Sequence, residues 1–129
     1  QRDRGEEGLA WIDFSTAEVE RLVGAGQTVF IDFTAEWCWT CKVNERAVLM
    51  NEEVRARFAA DEVALVKADW TNNNPEITQL LRAFGRSGVP LYVIFPGGRL
   101  DVPLVLPEII GVELVLDKLA QALALRSGL

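Results

Sequence analysis

The sequence predicts an α/β domain in which a central mixed β-sheet is flanked by helices on both faces. Short apolar runs rich in β-branched and aromatic residues alternate with amphipathic helical patterns along the chain, which is typical of βαβ units. The last two strand patterns are separated by Pro-Gly-Gly-Arg at residues 96–99, which indicates a hairpin. The resulting order, β-α-β-α-β-α-β-β-α, combines parallel crossovers with an antiparallel pair.

The first third of the chain contains three of these elements. Residues 9–14 are predicted to form a short edge strand, and Ser15 begins the following helix because Ser15 and Glu18 form a capping box. This helix is expected to bury Val19, Leu22 and Val23. Residues 28–34 are β-branched, aromatic and almost continuously apolar, which is typical of a central strand covered on both faces.

The middle of the chain is predicted to fold as a long helix, a strand and a second helix. The long helix starts at Cys38, and its apolar stripe consists of Val43, Ala47, Met50, Val54 and Phe58. Residues 62–70 form the next strand. Asn74 and Pro75 are the N-cap and first position of the second helix, which ends at Gly85 and buries Ile77, Leu80, Leu81 and Phe84.

The last part of the chain predicts a hairpin followed by a final helix. Residues 91–95 are the first hairpin strand, residues 100–105 are the return strand, and residues 106–108 (Leu-Pro-Glu) end the pattern. The final helix is predicted over residues 112–126, and its inward face consists of Val112, Val115, Leu116, Leu119 and Leu123.

Length and charge limit the classes of protein and partner. With 129 residues the chain is expected to form one domain over residues 9–129, preceded by a loose, flexible segment at residues 1–8. The net charge of −6 disfavours nucleic acid and anionic membranes as partners, and we expect a monomeric domain. No apolar run approaches the roughly 18 residues of a membrane span. No signal-peptide pattern is visible, and the sequence leaves open whether the domain belongs to a larger protein.

The sequence contains no histidine. Cys–His and Ser–His–Asp mechanisms and imidazole metal ligands are therefore excluded. Two cysteines are also too few for a zinc site with four cysteine ligands or for an iron–sulfur cluster within one chain. We therefore expect neither a metal nor an organic cofactor.

Cys38 and Cys41 form a C-x-x-C motif between the central strand and the long helix. This context is typical of thiol–disulfide chemistry, because two thiols on one helical turn close a small ring and the helix N-terminus favours a thiolate. Cys38, at the first turn, is predicted to be the accessible attacking thiolate, and Cys41 the resolving thiol. The alternatives are two buried thiols, half of an intermolecular metal site, and a structural disulfide.

Two carboxylates are candidates for tuning these thiols. Asp32 interrupts the apolar central strand, and as a buried group with a raised pKa it would relay a proton to or from Cys41. The alternative is a carboxylate turned to solvent at the strand end. Glu45 shares a helix face with both cysteines because the spacings are three and four, although a solvated helical Glu has the same spacing. Lys67, on the neighbouring strand, is a candidate partner of Asp32 or a surface lysine.

Four residues are candidates for the partner-binding surface: Trp37, Trp39, Val89 and Pro90. Trp39, inside the motif, is expected to be exposed and to contact the partner, whereas Trp37 is expected to support the core. A cis Val89–Pro90 bond would leave the Val89 backbone free to pair with an extended partner segment, although trans is the usual form.

Taken together, these motifs resemble the thioredoxin superfamily. The matching residues are 31–38 (IDFTAEWC) with Cys41 and Lys42, residues 67–69 (KAD), residues 88–90 (GVP) and residues 97–98 (GG). The resemblance implies a thioredoxin fold with Cys38 as the nucleophile, a buried Asp32 and a cis Pro90.

The chain departs from ordinary thioredoxins by having Trp39 and Thr40 between the cysteines. With residues 69–72 (DWTN), 75–77 (PEI) and 106–108 (LPE), and with Glu45 seven residues after Cys38, it is similar to the C-terminal periplasmic domain of DsbD-type thiol:disulfide interchange proteins. This resemblance implies a periplasmic reductase domain that takes electrons from a membrane-embedded donor domain and passes them to oxidised periplasmic protein domains. It also implies that Glu45 joins Asp32 in tuning the thiols. A general thioredoxin-like reductase, a disulfide oxidase or isomerase, and a non-enzymatic binding module remain alternatives.

Overall fold

The computed structural model describes residues 9–126, so the predicted flexible segment at residues 1–8 lies outside the described part of the chain. The strands are β1 (Trp11–Asp13), β2 (Val29–Thr34), β3 (Ala64–Asp69), β4 (Leu91–Phe95) and β5 (Leu104–Leu106). The helices are α1 (Thr16–Gly24), α2 (Trp39–Asn44), α3 (Glu52–Ala60), α4 (Pro75–Ala83) and α5 (Val112–Leu125), and a π-helical turn (Glu45–Leu49) continues α2.

The five strands form one mixed sheet in the order β1-β3-β2-β4-β5. β1, β3 and β2 are mutually parallel, whereas β4 runs antiparallel to β2 and β5 antiparallel to β4. The register places Asp32 of β2 opposite Lys67 of β3 on one side and Tyr92 of β4 on the other. The predicted fold class, an α/β domain with a mixed sheet, is confirmed.

β2 is the centre of the sheet and is buried along its whole length. Because successive side chains of a strand point to opposite faces, β2 contributes to two separate cores. Phe30 joins the core on the α3 and α5 face, and Ile31 and Phe33 join the core on the α1 and α4 face. Asp32 is two residues from Phe30 and therefore points to the α3 and α5 face, where it replaces an apolar residue.

The predicted long helix from Cys38 to residue 58 is wrong, because the chain forms α2, a π-helical turn and then α3. The break occurs at Asn51, whose side chain accepts hydrogen bonds from the backbone N–H groups of Glu53 and Val54 and so begins a new helix. The π turn and this break change the helical phase. As a result Val43, Ala47 and Met50 are exposed, while Val48, Leu49, Val54 and Phe58 are buried.

Two further corrections concern the C-terminal part. The return strand begins at Leu104 instead of residue 100, because a longer turn precedes it in which the Arg99 guanidinium holds the Asp101 carboxylate. In α5 the buried face is Val115, Leu119 and Ala122. Leu123, predicted to face inward, is exposed because it lies one residue, about 100°, further round the helix than Ala122.

Candidate functional site

Cys38 and Cys41 are joined by a disulfide at the point where the chain leaves β2 and enters α2, with their Cα atoms 5.3 Å apart. Cys38 is the N-cap residue of α2, and its Sγ accepts a hydrogen bond from the backbone N–H of Cys41 at 3.1 Å. The same donor is available to a thiolate in the reduced form, and hydrogen bonding to the charged form of a group favours that form. The strand-to-helix context predicted for the motif is therefore present.

Both cysteines are buried, and Cys38 is the less buried of the two. Cys41 is completely buried, whereas Cys38, which the sequence predicts to be accessible, retains 7% of its surface exposed. Both pack with Ala35, and Val89 lies against the same small cluster. The Val89–Pro90 bond, in the loop before β4, is cis.

Asp32, Glu45 and Lys67 line one cavity of about 220 Å³, together with Trp11, Leu49 and Met50. Asp32 is completely buried, and neither of its carboxyl oxygens has a hydrogen-bond partner among residues 9–126. Oε2 of Glu45 is also buried and has no such partner within that range. The structure therefore brings the two predicted carboxylates together, and Asp32 is not turned to solvent.

The surroundings of Asp32 raise its pKa well above the usual range of an aspartate. The main cause is burial, which removes water from the charged form, and the negative charge of Glu45 acts in the same direction. The positive charge of Lys67 opposes these effects. No hydrogen bond joins Lys67 to Asp32, and the Lys67 Nζ lies 5.5 Å from the centroid of the Trp11 ring, a distance typical of a cation–π contact.

Trp37 does not support the core, which corrects the expectation from the sequence: 58% of its surface is exposed. Its indole Nε1 donates to the backbone carbonyl of Thr71 at 3.1 Å, and its ring centroid lies 6.0 Å from that of Trp70. The Thr71 hydroxyl in turn accepts a hydrogen bond from the backbone N–H of Glu36. The turn before Cys38 is thereby attached to the loop after β3.

Trp39 is 77% exposed, as predicted from its position between the cysteines. Its side chain makes no hydrogen bond or ring contact with any residue in the described range. Its indole is therefore available on the surface next to Cys38.

Asn44 and Tyr92 are buried polar residues near the site that the sequence interpretation missed. The Asn44 Nδ2 donates to the Tyr92 hydroxyl at 2.9 Å and to the backbone carbonyl of Glu108 at 2.7 Å. Burial and the nearby charge of Asp32 raise the pKa of Tyr92. Asn44 follows Cys41 by three residues and precedes Val48 by four, so a polar residue in the buried helical spacing was the available signal.

Two further features of the described residues bear on other functions. Residues 9–126 contain no group of three or more histidine, cysteine, aspartate or glutamate side chains placed to hold a metal ion. None of the helices described in this range is long and apolar enough to cross a membrane.

A mixed sheet with a C-x-x-C disulfide at the start of a helix and a cis proline beside it defines the thioredoxin-like class. The family model described as Thioredoxin-like matches residues 10–97, and the chain belongs to this family. The resemblance to the thioredoxin superfamily that the sequence motifs indicate is thus confirmed.

Within that family the chain is similar to DsbD proteins, as the sequence motifs predicted. It is 39% identical over 90 residues to the thiol:disulfide interchange protein DsbD 1 of Pseudomonas aeruginosa. The matched segment covers 69% of this chain and 14% of that protein. It is 33% identical over 103 residues to DsbD of Ralstonia nicotianae, covering 77% of this chain and 16% of that protein. The chain therefore spans about a seventh of the length of these curated relatives.

Solved structures give the same fold. The C-terminal domain of Neisseria meningitidis DsbD in the reduced form superposes with a TM-score of 0.66 at 23% identity, covering 86% of this chain and 99% of that chain. A chloroplastic thioredoxin z gives a TM-score of 0.67 at 25% identity, covering 90% and 96% of the two chains.

Proposed function

We propose that this domain is a protein-disulfide reductase that uses Cys38 and Cys41 as its redox-active pair. The observation that carries the proposal is the Cys38–Cys41 disulfide with Sγ of Cys38 at the N-terminus of α2, where a backbone N–H already donates to it. No metal or organic cofactor takes part. The relatives named thiol:disulfide interchange proteins support this class of chemistry.

The reaction proceeds through a mixed disulfide. The Cys38 thiolate attacks one sulfur of a partner disulfide, so that a Cys38–partner bond forms and the partner's S–S bond breaks, releasing one partner thiolate that takes up a proton. Cys41 then loses its proton and attacks the Cys38 sulfur, which releases the second partner thiolate. Two electrons pass to the partner, and the domain is left with the Cys38–Cys41 disulfide that the structure contains.

We propose that Asp32 and Glu45 control proton transfer to and from Cys41. Cys41 is completely buried and has no histidine available, because the chain contains none. Asp32 is a buried carboxyl with a raised pKa on the strand that leads to the motif, and a carboxyl whose proton is held more tightly than usual can both accept and donate a proton. Glu45 acts on Asp32 through its charge.

The partner-binding surface is proposed to include Trp39, Trp37, Val89 and Pro90. Trp39 and Trp37 are largely exposed on either side of Cys38, and aromatic side chains supply large contact areas at protein interfaces. Val89 packs beside the disulfide. A partner segment lying along Val89 would bring its own disulfide next to Cys38.

The finer assignment is an electron relay in the periplasm. We propose that a membrane-embedded donor domain reduces the Cys38–Cys41 disulfide and that the domain then reduces oxidised periplasmic protein domains. Similarity to DsbD proteins over most of this chain supports this assignment. We expect the domain itself to be monomeric.

The decisive experiment uses Cys41→Ala and Cys38→Ala variants of the reduced domain with a protein that contains accessible disulfides, such as insulin. Cys41→Ala is expected to accumulate a mixed disulfide, because the resolving thiol is missing, and Cys38→Ala is expected to form none. The adduct is detected by mass spectrometry and disappears on reduction. If Cys41→Ala forms no adduct, or if Cys38→Ala forms as much, the assignment of Cys38 as the nucleophile is wrong.

A second candidate, a general thioredoxin-like reductase fed by a soluble reductase, is favoured by the structural similarity to thioredoxin z. The two candidates differ in the electron donor. Rapid reduction of the oxidised domain by NADPH and a thioredoxin reductase supports the second candidate. Reduction only by membranes that contain a DsbD-type donor domain supports the first.

A further inference from the structure

A second cavity, of about 360 Å³, lies between the end of α4 and the loop that follows β3. Its polar lining consists of Trp70, Asn73, Thr78, Arg82, Arg86 and Ser87. None of these residues has a part in the thiol chemistry described above. The cavity nevertheless reaches the segment that carries Val89, because Ser87 lies only two residues before it.

Arg82 and Arg86 are the charged residues in this lining, and neither has an ion-pair partner among residues 9–126. The Arg86 Nη1 is buried and donates to no acceptor within that range. Buried donors are nearly always hydrogen-bonded, and the planar guanidinium fork matches a carboxylate or phosphate. The cavity therefore has two positive charges and a buried donor without an acceptor.

The other polar groups of the cavity fit the same kind of ligand. The Trp70 Nε1 is already used, because it donates to the Thr78 hydroxyl at 2.7 Å. The Asn73 amide and the Ser87 hydroxyl make no side-chain hydrogen bond with other described residues, so both are available to an anionic oxygen. Hydroxyl, amide and guanidinium donors together suit an anion.

Trp70 connects this cavity to the disulfide site. Its ring packs against Trp37, one residue before Cys38, with centroids 6.0 Å apart. Trp70 is also close to the loop before β4, because a Cβ placed on Gly88 would lie 3.7 Å from the Trp70 ring. The Cα atoms of Ser87 and Val89 are at most about 7 Å apart. A partner segment that crosses Val89 would therefore pass beside the cavity.

We propose that Arg82 and Arg86 form a carboxylate-binding pocket that receives an acidic side chain of the partner protein near its reactive disulfide. This inference rests on the proposed reductase function. An extended chain advances about 3.3 Å per residue, so an Asp or Glu within a few residues of the partner cysteine would reach the cavity. The chain as a whole carries a charge of −6, which repels acidic groups, so the local positive charge of the pocket would favour the orientation that places the partner's acidic side chain there.

The test uses peptides in which one cysteine is held as a mixed disulfide with the chromophore thionitrobenzoate. Attack by reduced Cys38 on the peptide sulfur releases this chromophore and gives a second-order rate constant. Paired peptides carry Glu or Gln at one position, two to five residues before or after the cysteine. We expect at least one Glu peptide to react about two- to fivefold faster than its Gln partner, the range of a partly exposed ion pair.

The Arg82→Gln/Arg86→Gln double variant is expected to lose this preference while reacting with the Gln peptides at the wild-type rate. Arg57→Gln is the matched control, because it removes the same charge from α3, on the opposite face of the sheet, and should keep the preference. Arg82 is exposed, so Arg82→Gln alone tests the proposal without disturbing the fold. Arg86→Lys, which keeps the charge, should retain part of the preference.

Equal rates for every Glu and Gln pair with the wild type would overturn the proposal, as would a preference that persists in the double variant. Inorganic phosphate is the second probe, and its binding is detected through the NMR signal of the Trp70 indole N–H. If phosphate shifts this signal only when both arginines are present and the peptides show no preference, the pocket binds a free anion and not a partner side chain. Failure of the reductase function itself would look different, because no peptide would release the chromophore.

Discussion

Glu45, in the π-helical turn after α2, lines the same cavity as Asp32 of the central strand, and its charge contributes to the raised pKa of Asp32. The two residues are distant in the sequence and are brought together by folding. Asp32 belongs to the sheet, and Glu45 belongs to the helical segment that continues from the cysteines. Burial is the larger cause and Lys67 opposes it, so the ionisation of Asp32 also depends on two neighbouring charges, Glu45 and Lys67, that can each be changed.

The first prediction concerns the cost of burying Asp32 in the oxidised domain. Its pKa is raised in the folded state, so the folded protein binds the proton more tightly than the unfolded chain does. The contribution of Asp32 to stability is therefore fully present below the unfolded pKa and is lost as the pH rises through the folded pKa. Because asparagine does not titrate, Asp32→Asn removes this pH-dependent loss of stability. We expect the variant to be more stable than the wild type at pH 8, with the difference shrinking towards pH 4.

Urea unfolding of the oxidised proteins at several pH values measures this difference. Asp117→Asn, on the exposed face of α5, is the matched control and should follow the wild-type pH profile. A destabilised Asp32→Asn at pH 8, or a difference that does not vary with pH, would contradict the assignment of Asp32 as a buried carboxyl with a raised pKa.

The second prediction concerns the two charges near Asp32. Glu45→Gln removes a negative charge and should lower the pKa of Asp32, whereas Lys67→Gln removes a positive charge and should raise it. The titration of the Asp32 carboxyl carbon, followed by NMR in the oxidised domain, measures both shifts. Glu53→Gln, at the exposed start of α3, should leave the titration unchanged. Shifts of the same sign in the two variants would mean that charge is not the cause.

The third prediction concerns the hydrogen bonds of Asn44, which connect α2 to β4 and to the loop before α5. Asn44→Ala leaves the Tyr92 hydroxyl and the Glu108 carbonyl without this donor and should cost about 1–3 kcal/mol of unfolding free energy. Tyr92→Phe removes only one of the two bonds and should cost about 1 kcal/mol. The double variant should lose less than the sum, because one bond is shared. Strict additivity in denaturant unfolding would show that the Asn44–Tyr92 bond contributes nothing.

The fourth prediction separates the two tryptophans beside Cys38. Trp37→Phe removes the indole donor to Thr71 and weakens packing on Trp70, so it should cost about 1 kcal/mol of stability. Trp39→Phe is the matched control, because the side chain is 77% exposed, and its effect should stay within about 0.5 kcal/mol. Unfolding by urea measures both values. Equal losses of stability in the two variants would show that the contacts of Trp37 with Trp70 and Thr71 do not stabilise the loop after β3.

Trp39 is expected to contribute to activity although it contributes little to stability. Trp39→Ala is expected to slow the reduction of a protein disulfide, because it removes exposed aromatic area next to Cys38, while leaving stability almost unchanged. Insulin reduction by the reduced domain measures the rate. If Trp39→Ala reacts with insulin as fast as the wild type, Trp39 is not part of the partner-binding surface.

Several features of the site depended on contacts that local sequence patterns do not encode. The helical spacing of Val43, Ala47 and Met50 was compatible with one long helix, but the cap at Asn51 and the π turn changed the phase and exposed all three. Trp37 looked like a core residue because it is large and apolar, yet its partners Trp70 and Thr71 lie more than thirty residues away. Asn44 was missed because its partners, Tyr92 and Glu108, are also distant in the sequence.

By itself the sequence determined the order of strands and helices, the mixed sheet, and the position of Cys38 and Cys41 between β2 and a helix. These follow from hydrophobic period, caps and turn residues, which act over a few neighbouring positions. Only the tertiary structure decided that Glu45 faces Asp32, that Asn44 holds Tyr92, and that Arg82 and Arg86 share a cavity beside Val89. Burial and charge at these positions depend on which distant elements pack together, and packing is a property of the folded chain as a whole.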